Sequence, residues 1–205
     1  MPSLEIAIMS SRHKAPIYKM DPNKNRILQA LLYLISEADK RGLEATQYFL
    51  VKALFLADKS HLNSFGRPIT FDNYVAMNHG PVPSYAYRLL REEVDFRKEF
   101  GLRGRPWKKE KAKINKNANA YSQPTSTIAL DDLSPSDLEA LSNALMVASS
   151  LSFSQLRKLT HEDPAYVDAW DDESGKRAYP ISYGLLFDVP DYEQAEIIAH
   201  ASKHS

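Results

Sequence analysis

No cysteine occurs in the 205 residues. That excludes disulfide bridges, thiolate zinc sites and a cysteine nucleophile, and it fits a reducing compartment. Glycine is scarce as well. With only 7 glycines the chain has neither a GxGxxG nor a GxxxxGK[ST] loop to cradle phosphates, and GxSxG and HExxH are missing too. The longest apolar tract, ALLYLI at 30–35, is far short of the ~20 residues that span a bilayer. The stretch MPSLEIAIMSSRHK at the start lacks the basic-then-apolar order of a secretory signal. The expectation is a cytoplasmic protein that engages no membrane, needs no metal or cofactor and is not an enzyme.

What is present is enough for a packed core, since 43% of residues are apolar and 25% charged. The formal net charge is zero but unevenly spread. Residues 97–117 carry nine basic side chains against two acidic, whereas residues 118–205 carry five basic against fourteen acidic. Such asymmetry suits a nucleic-acid patch or a charged partner. The plainer alternative is a basic loop folded over the acidic half of its own chain.

Residues 1–20 have no clear period and read as an arm. Asp21 and Pro22 open a first helix with an apolar stripe from Ile27 to Ala38, ended by Gly42. Thr46 caps a second, to Ser64, with Leu50, Leu54, Ala57 and His61 on its apolar side and Lys52, Lys59 and Asn63 facing away. Gly66 and Arg67-Pro68 end it. Residues 73–78 alternate like a short strand, and a third helix spans Ser84–Glu93. The basic tract runs into a hairpin with strands at 112–116 and 126–130. Ser134-Pro135 opens a helix to Ser149, Ser152 opens another with Gln155 in the capping-box position, and Pro164 starts a turn of helix to Trp170. Residues 171–177 read as a surface turn, and 191–203 as a terminal helix. The fold class is mainly α (α+β): a compact helical domain with a short strand or β-hairpin element, residues 21–187, between an arm (1–20) and a tail (188–205).

Three histidines bear on chemistry. His61 sits on an apolar stripe, where a core histidine with a backbone partner outweighs a ligand; Asp58, three residues earlier, is placed to reach its ring. His161 closes a helix, where its partial charge suits the C-terminal dipole. His79 stands in AMNHGPVPS (76–84), between a catalytic loop and a rigid corner made by Gly80, Pro81 and Pro83. These histidines with Asp58 and Glu162 form no pair at a local ligand spacing.

The run LVKALFLADKSHLNSFGRPITFDNYVAMNHGPVPSYAYRLL (50–90) resembles the Panacea antitoxin domain of SocA-like and GepA-like phage-associated proteins. Its signature residues here are Asp58, Lys59, His61, Gly66, Arg67, Pro68, Tyr74, Met77, His79, Gly80, Pro81 and Pro83, with His161 in the looser match LRKLTHEDPAYVDAW (156–170). PISYGLLF (180–187) matches the family's closing stretch, so the resemblance frames residues 25–187.

The resemblance implies an antitoxin of a bacterial, phage or prophage toxin–antitoxin system, with phage defence as its setting. It implies neutralisation of a cognate protein toxin by direct protein–protein contact in a toxin–antitoxin hetero-oligomer or alongside homo-oligomers. A DNA-binding autoregulator acting on operator DNA, with the basic tract as a wing, and a proteolytic adaptor are the alternatives; a hydrolase using the histidines is the remaining one. The aromatic and basic residues near the signature corner, Tyr85, Arg88, Arg91, Arg103, Arg105, Trp107, Lys108 and Lys109, are the expected partner-binding set.

Overall fold

The computed structural model describes residues 14–113, 115–124, 130–171 and 175–204. Helix α1 (Lys24–Lys40) is capped by Asn23, whose side chain accepts from Arg26 N at 3.1 Å. The cap lies two residues later than expected. Asp21 is tied instead to Ser202 Oγ through its backbone N–H, and Asn23 N donates to Thr70 O, so the chain enters the helix only after these ties. A two-residue strand, β1 (Ala45–Thr46), leads into α2 (Gln47–Phe65). Thr46 caps it by accepting from Phe49 N, and Gly66 ends it with a left-handed backbone (φ 73°), as local cap chemistry requires.

Strands β2 (Tyr74–Met77) and β3 (Gly80–Pro83) form an antiparallel hairpin about Asn78-His79, with β6 (Tyr179–Pro180) on the far side of β2. β3 is an edge strand, which is where Pro81 and Pro83 fit without breaking a ladder. Helix α3 (Ser84–Leu90) stops three residues short of the expected end because Glu92 turns with a positive φ (60°). A short α4 (Val94–Glu99) follows.

The basic tract does form a hairpin, in a different register. β4 (Lys108–Lys111) pairs with β5 (Asn119–Ser122), and β5 also pairs with β1. Trp107 and Tyr121 decide this: both are buried, edge to face at 5.7 Å, and their docking fixes which residues pair. Of the expected strand at 112–116, the described residues 112, 113, 115 and 116 lie between β4 and β5 and are not in a strand, and the one at 126–130 lies, but for Leu130, outside the described residues. Helices α5 (Pro135–Ser150) and α6 (Phe153–His161) start with reciprocal capping boxes at Ser134–Asp137 and Ser152–Gln155. α7 (Pro164–Ala169), a 3₁₀ turn at Tyr183–Leu185, α8 (Tyr192–Ala201) and a last 3₁₀ turn at Ser202–His204 complete the described chain.

Two apolar clusters hold these elements. One gathers α1, the α5-facing side of α2, α3 and α5; the other gathers Phe55 and Leu62 of α2 with β2, α7 and α8. Helix α2 lies between them and has almost no wet face, the signature of a helix enclosed on all sides. That overturns the expected orientation of Lys52: it is fully buried. Lys59 is only partly exposed and paired, and Asn63 donates to Lys59 O and Leu186 O. The fold is mainly α with a small β component.

Candidate functional site

The signature residues meet as internal ties around α2. Asp58 is fully buried and takes hydrogen bonds from Ile69 N (2.8 Å), Thr70 N (3.1 Å), the Thr70 hydroxyl and the Tyr74 hydroxyl (2.7 Å). Burial pushes its carboxyl up, and those four donors oppose the push. The expected contact between Asp58 and His61 is therefore absent. Asp58 turns toward the 69–74 loop, where two backbone N–H groups would otherwise be unpartnered.

His61 instead faces Arg67 O (2.9 Å, Nδ1) and, through Nε2, Ser136 Oγ and Asp137 Oδ1, both at 3.1 Å. It is a core histidine with a backbone partner. Asp137, buried at the start of α5, also takes Arg26 (2.6 Å) and Arg67 (3.1 Å). Its Oδ1 has no well-aligned hydrogen bond but lies in ion-pair range of His61 and Arg67. Burial raises this carboxyl, yet Arg67, Ser134 and Arg26 outweigh it and hold it below the ordinary value.

Asp72 accepts from Tyr85 N (2.9 Å) and Ala86 N (2.8 Å), which anchors the first turn of α3. Burial drives its carboxyl up to about 7 against the pull of those two donors. Lys59 pairs with Asp163 (2.5 Å), whose other oxygen caps α7. The hairpin is held from above by α7: Tyr166 donates to Met77 O (3.0 Å) and its ring packs on His161 (4.3 Å).

The turn itself brings the next group together. Gly80 (φ 98°) is buried, and a Cβ there would lie 2.5 Å from Lys52 Nζ, 2.8 Å from Thr160 Oγ1 and 3.2 Å from the His161 ring. Only glycine fits both that backbone and that space. Lys52 Nζ donates to Pro81 O at 2.8 Å, and burial, followed by the charge of Arg157, brings its ammonium down to about 7. His79, on the exposed outside of the turn, packs edge-on to Phe153 at 5.9 Å. AMNHGPVPS is thus a hairpin rather than a corner between strand and helix. The prolines form its second strand.

Beside Lys52 lies a cleft of about 270 Å³ between the first turns of α2, the β2–β3 turn and the Asn117–Asn119 turn. Gln47 Nε2 and the Tyr48 hydroxyl are buried in it without partners. Burial pushes the Tyr48 phenol up to about 12. A second hollow of about 460 Å³ adjoins it through Tyr48 and Ala118, walled by Phe49, Leu151, Phe153 and Leu156. None of Gln47, Tyr48, Lys52, Phe153 or Arg157 figured in the sequence-based sites. The one available signal was a lone lysine inside LVKALFLA. Among the described residues no group of three or more His, Asp or Glu could hold a metal, and no helix is long and apolar enough to cross a membrane.

A family model described as "Antitoxin SocA-like, Panacea domain" matches residues 50–166. The chain belongs to that family. No curated protein and no solved structure matches it. The matched segment of the Panacea domain runs from within α2 to within α7, so it contains Asp58, Asp137, the β2–β3 hairpin and most of the cleft's lining, while Gln47 and Tyr48 lie just before it.

The expected partner-binding residues of this Panacea domain divide. Arg88 pairs with Glu93 and covers the Phe96 ring at 3.9 Å; Arg91 lies over Tyr87. Arg105 and Lys109 both reach Glu92 (3.0 and 3.6 Å), just past the end of α3, and Arg103 is exposed. Tyr85 is half-buried against Phe96, and Lys108 pairs with Glu110. Trp107 is a correction: at 1% exposure it belongs to the core and has no surface to offer. Within the basic tract, Arg105 and Lys109 pair with Glu92, Lys108 pairs with Glu110, and the Lys113 backbone donates to Glu44.

Proposed function

We propose that the protein is the antitoxin of a toxin–antitoxin pair: it binds a cognate protein toxin and neutralises it by direct contact, in the cytoplasm, without catalysis. The match to the SocA-like Panacea antitoxin domain over residues 50–166 carries this reading. The chemistry of the site supports it. Asp58, His61, Asp137 and Lys59 are engaged in interior ties, which leaves shape, aromatic surface and basic side chains as what the exterior offers. Those are the materials of a protein interface, where a few aromatic and arginine anchors dominate. Co-expression with the toxin encoded in the neighbouring reading frame should restore growth, and the two chains should co-purify. Folded protein that neither restores growth nor binds that toxin would remove the proposal.

A further inference from the structure

The cleft beside Lys52 is one-sided in charge. Its lining includes Lys52, Gln47 and Tyr48 but no carboxylate. Arg157 reaches over its rim to donate to Asn78 O at 3.4 Å, and its charge is felt at both Tyr48 and Lys52. Neither Lys52 nor Arg157 forms an ion pair with an acidic side chain among the described residues. Two further polar groups, Gln47 Nε2 and the Tyr48 hydroxyl, are buried there without a hydrogen-bond partner among the described residues. Buried donors left unsatisfied are costly, and a partner that brings acceptors would relieve that cost.

The adjoining hollow is mostly apolar, with Glu44, Thr46, Asn115 and Ser149 also in its lining. Phe153 stands at the junction, 56% exposed, its ring 4.5 Å from Tyr48. An exposed aromatic beside a ready cavity has the character of an interface anchor. The two hollows together exceed what one side chain fills, and their chemistry differs: donors and cations in one, mostly aliphatic and aromatic carbon in the other.

We propose that this pair of hollows receives a segment of the partner protein, which sets a large apolar side chain against Phe153 and a neighbouring Asp or Glu carboxylate among Lys52, Gln47, Tyr48 and Arg157. The proposal rests on the antitoxin reading only in taking the toxin as that partner. Charge complementarity selects the carboxylate: a partner lysine or arginine placed beside Lys52 would meet two cations and no carboxylate in the cleft's lining, while Glu44, which lines the adjoining hollow, already accepts from Lys113 N.

The test has two arms. In the first, isotope-labelled full-length protein is titrated with N-acetyl-Phe-Glu-amide and with its Phe-Gln isostere. The glutamate probe should shift the amides of Gln47, Tyr48, Lys52, His79 and Phe153, and the glutamine probe should bind about tenfold more weakly, as loss of a charge-assisted hydrogen bond gives. Arg157→Glu, on an exposed position, should bring the glutamate probe down to the glutamine level while the circular dichroism spectrum stays that of the folded protein. Equal binding of the two probes, no saturable shift, or the same shifts with acetate alone would overturn the proposal. In the second arm, Arg157→Glu and Tyr48→Ala are scored for growth rescue against the neighbouring toxin. If wild type rescues and both variants rescue equally well, the cleft is not where the toxin binds and the proposal fails. If wild type does not rescue while the glutamate probe still binds selectively, the antitoxin reading falls and the acidic-segment site stands.

Discussion

Replacing Gly80 by alanine probes the place where hairpin, buried lysine and helix α6 meet. Two costs should add. The backbone at φ 98° is one that residues with a Cβ rarely adopt, worth about 1–3 kcal/mol. The new methyl would also sit 2.5 Å from Lys52 Nζ and 2.8 Å from Thr160 Oγ1. Lys52 cannot swing away freely, because it is fully buried and bonded to Pro81 O, so overpacking should add about 1–3 kcal/mol. Gly42 provides the internal control: its φ is 65°, but a Cβ there meets nothing within 4 Å. Gly42→Ala should therefore cost about 1 kcal/mol, the backbone share alone, and Gly80→Ala about 2–6 kcal/mol. Urea denaturation followed by circular dichroism measures both. Equal losses for the two variants would refute the close approach of Gly80 to Lys52 and Thr160. A loss at Gly80 below that at Gly42 would refute the strain as well.

Two more substitutions test the buried charges. Asp137→Ala removes a carboxylate shared by Arg26, Arg67, His61 and the Ser134 capping box, and should lower stability by about 3 kcal/mol in the same assay; a change under about 1 kcal/mol would mean the network contributes little. Lys52→Met tests the displaced ammonium. Its folded value of about 7 lies below the ordinary 10.5, so between those pH values the unfolded chain holds more protons and stability rises with pH. The span corresponds to about 5 kcal/mol. The methionine variant should lose that rise. It should be more stable than wild type at pH 6 and, lacking the bond to Pro81 O, about 1–2 kcal/mol less stable at pH 10. Parallel stability curves for the two proteins would contradict the burial of a charge at this position.

Local chemistry was legible in the sequence, and long-range docking was not. Thr46, Gly66, Ser134 and Ser152 mark helix ends through bonds spanning three or four residues, and all four do so in the structure. The hairpin register depended on where Trp107 and Tyr121 bury, which no alternation within 97–130 encodes. Lys52 was read as solvent-facing because a helical stripe assumes one wet side, whereas α2 has neighbours all round. Asp58 was aimed at His61 by sequence proximity, yet its partners lie 11 to 16 residues ahead, beyond any helical spacing. The cleft was invisible for the same reason: Lys52, His79 and Asn117 come from three separate segments.

The central claim is that this Panacea domain acts by holding a toxin. Mixing the purified protein with the toxin encoded beside it, in isothermal titration calorimetry matched to growth rescue, measures that claim directly. The account predicts a saturable stoichiometric complex and restored growth, both weakened by Arg157→Glu. A folded protein that gives no heat of binding and leaves the toxin active would contradict it.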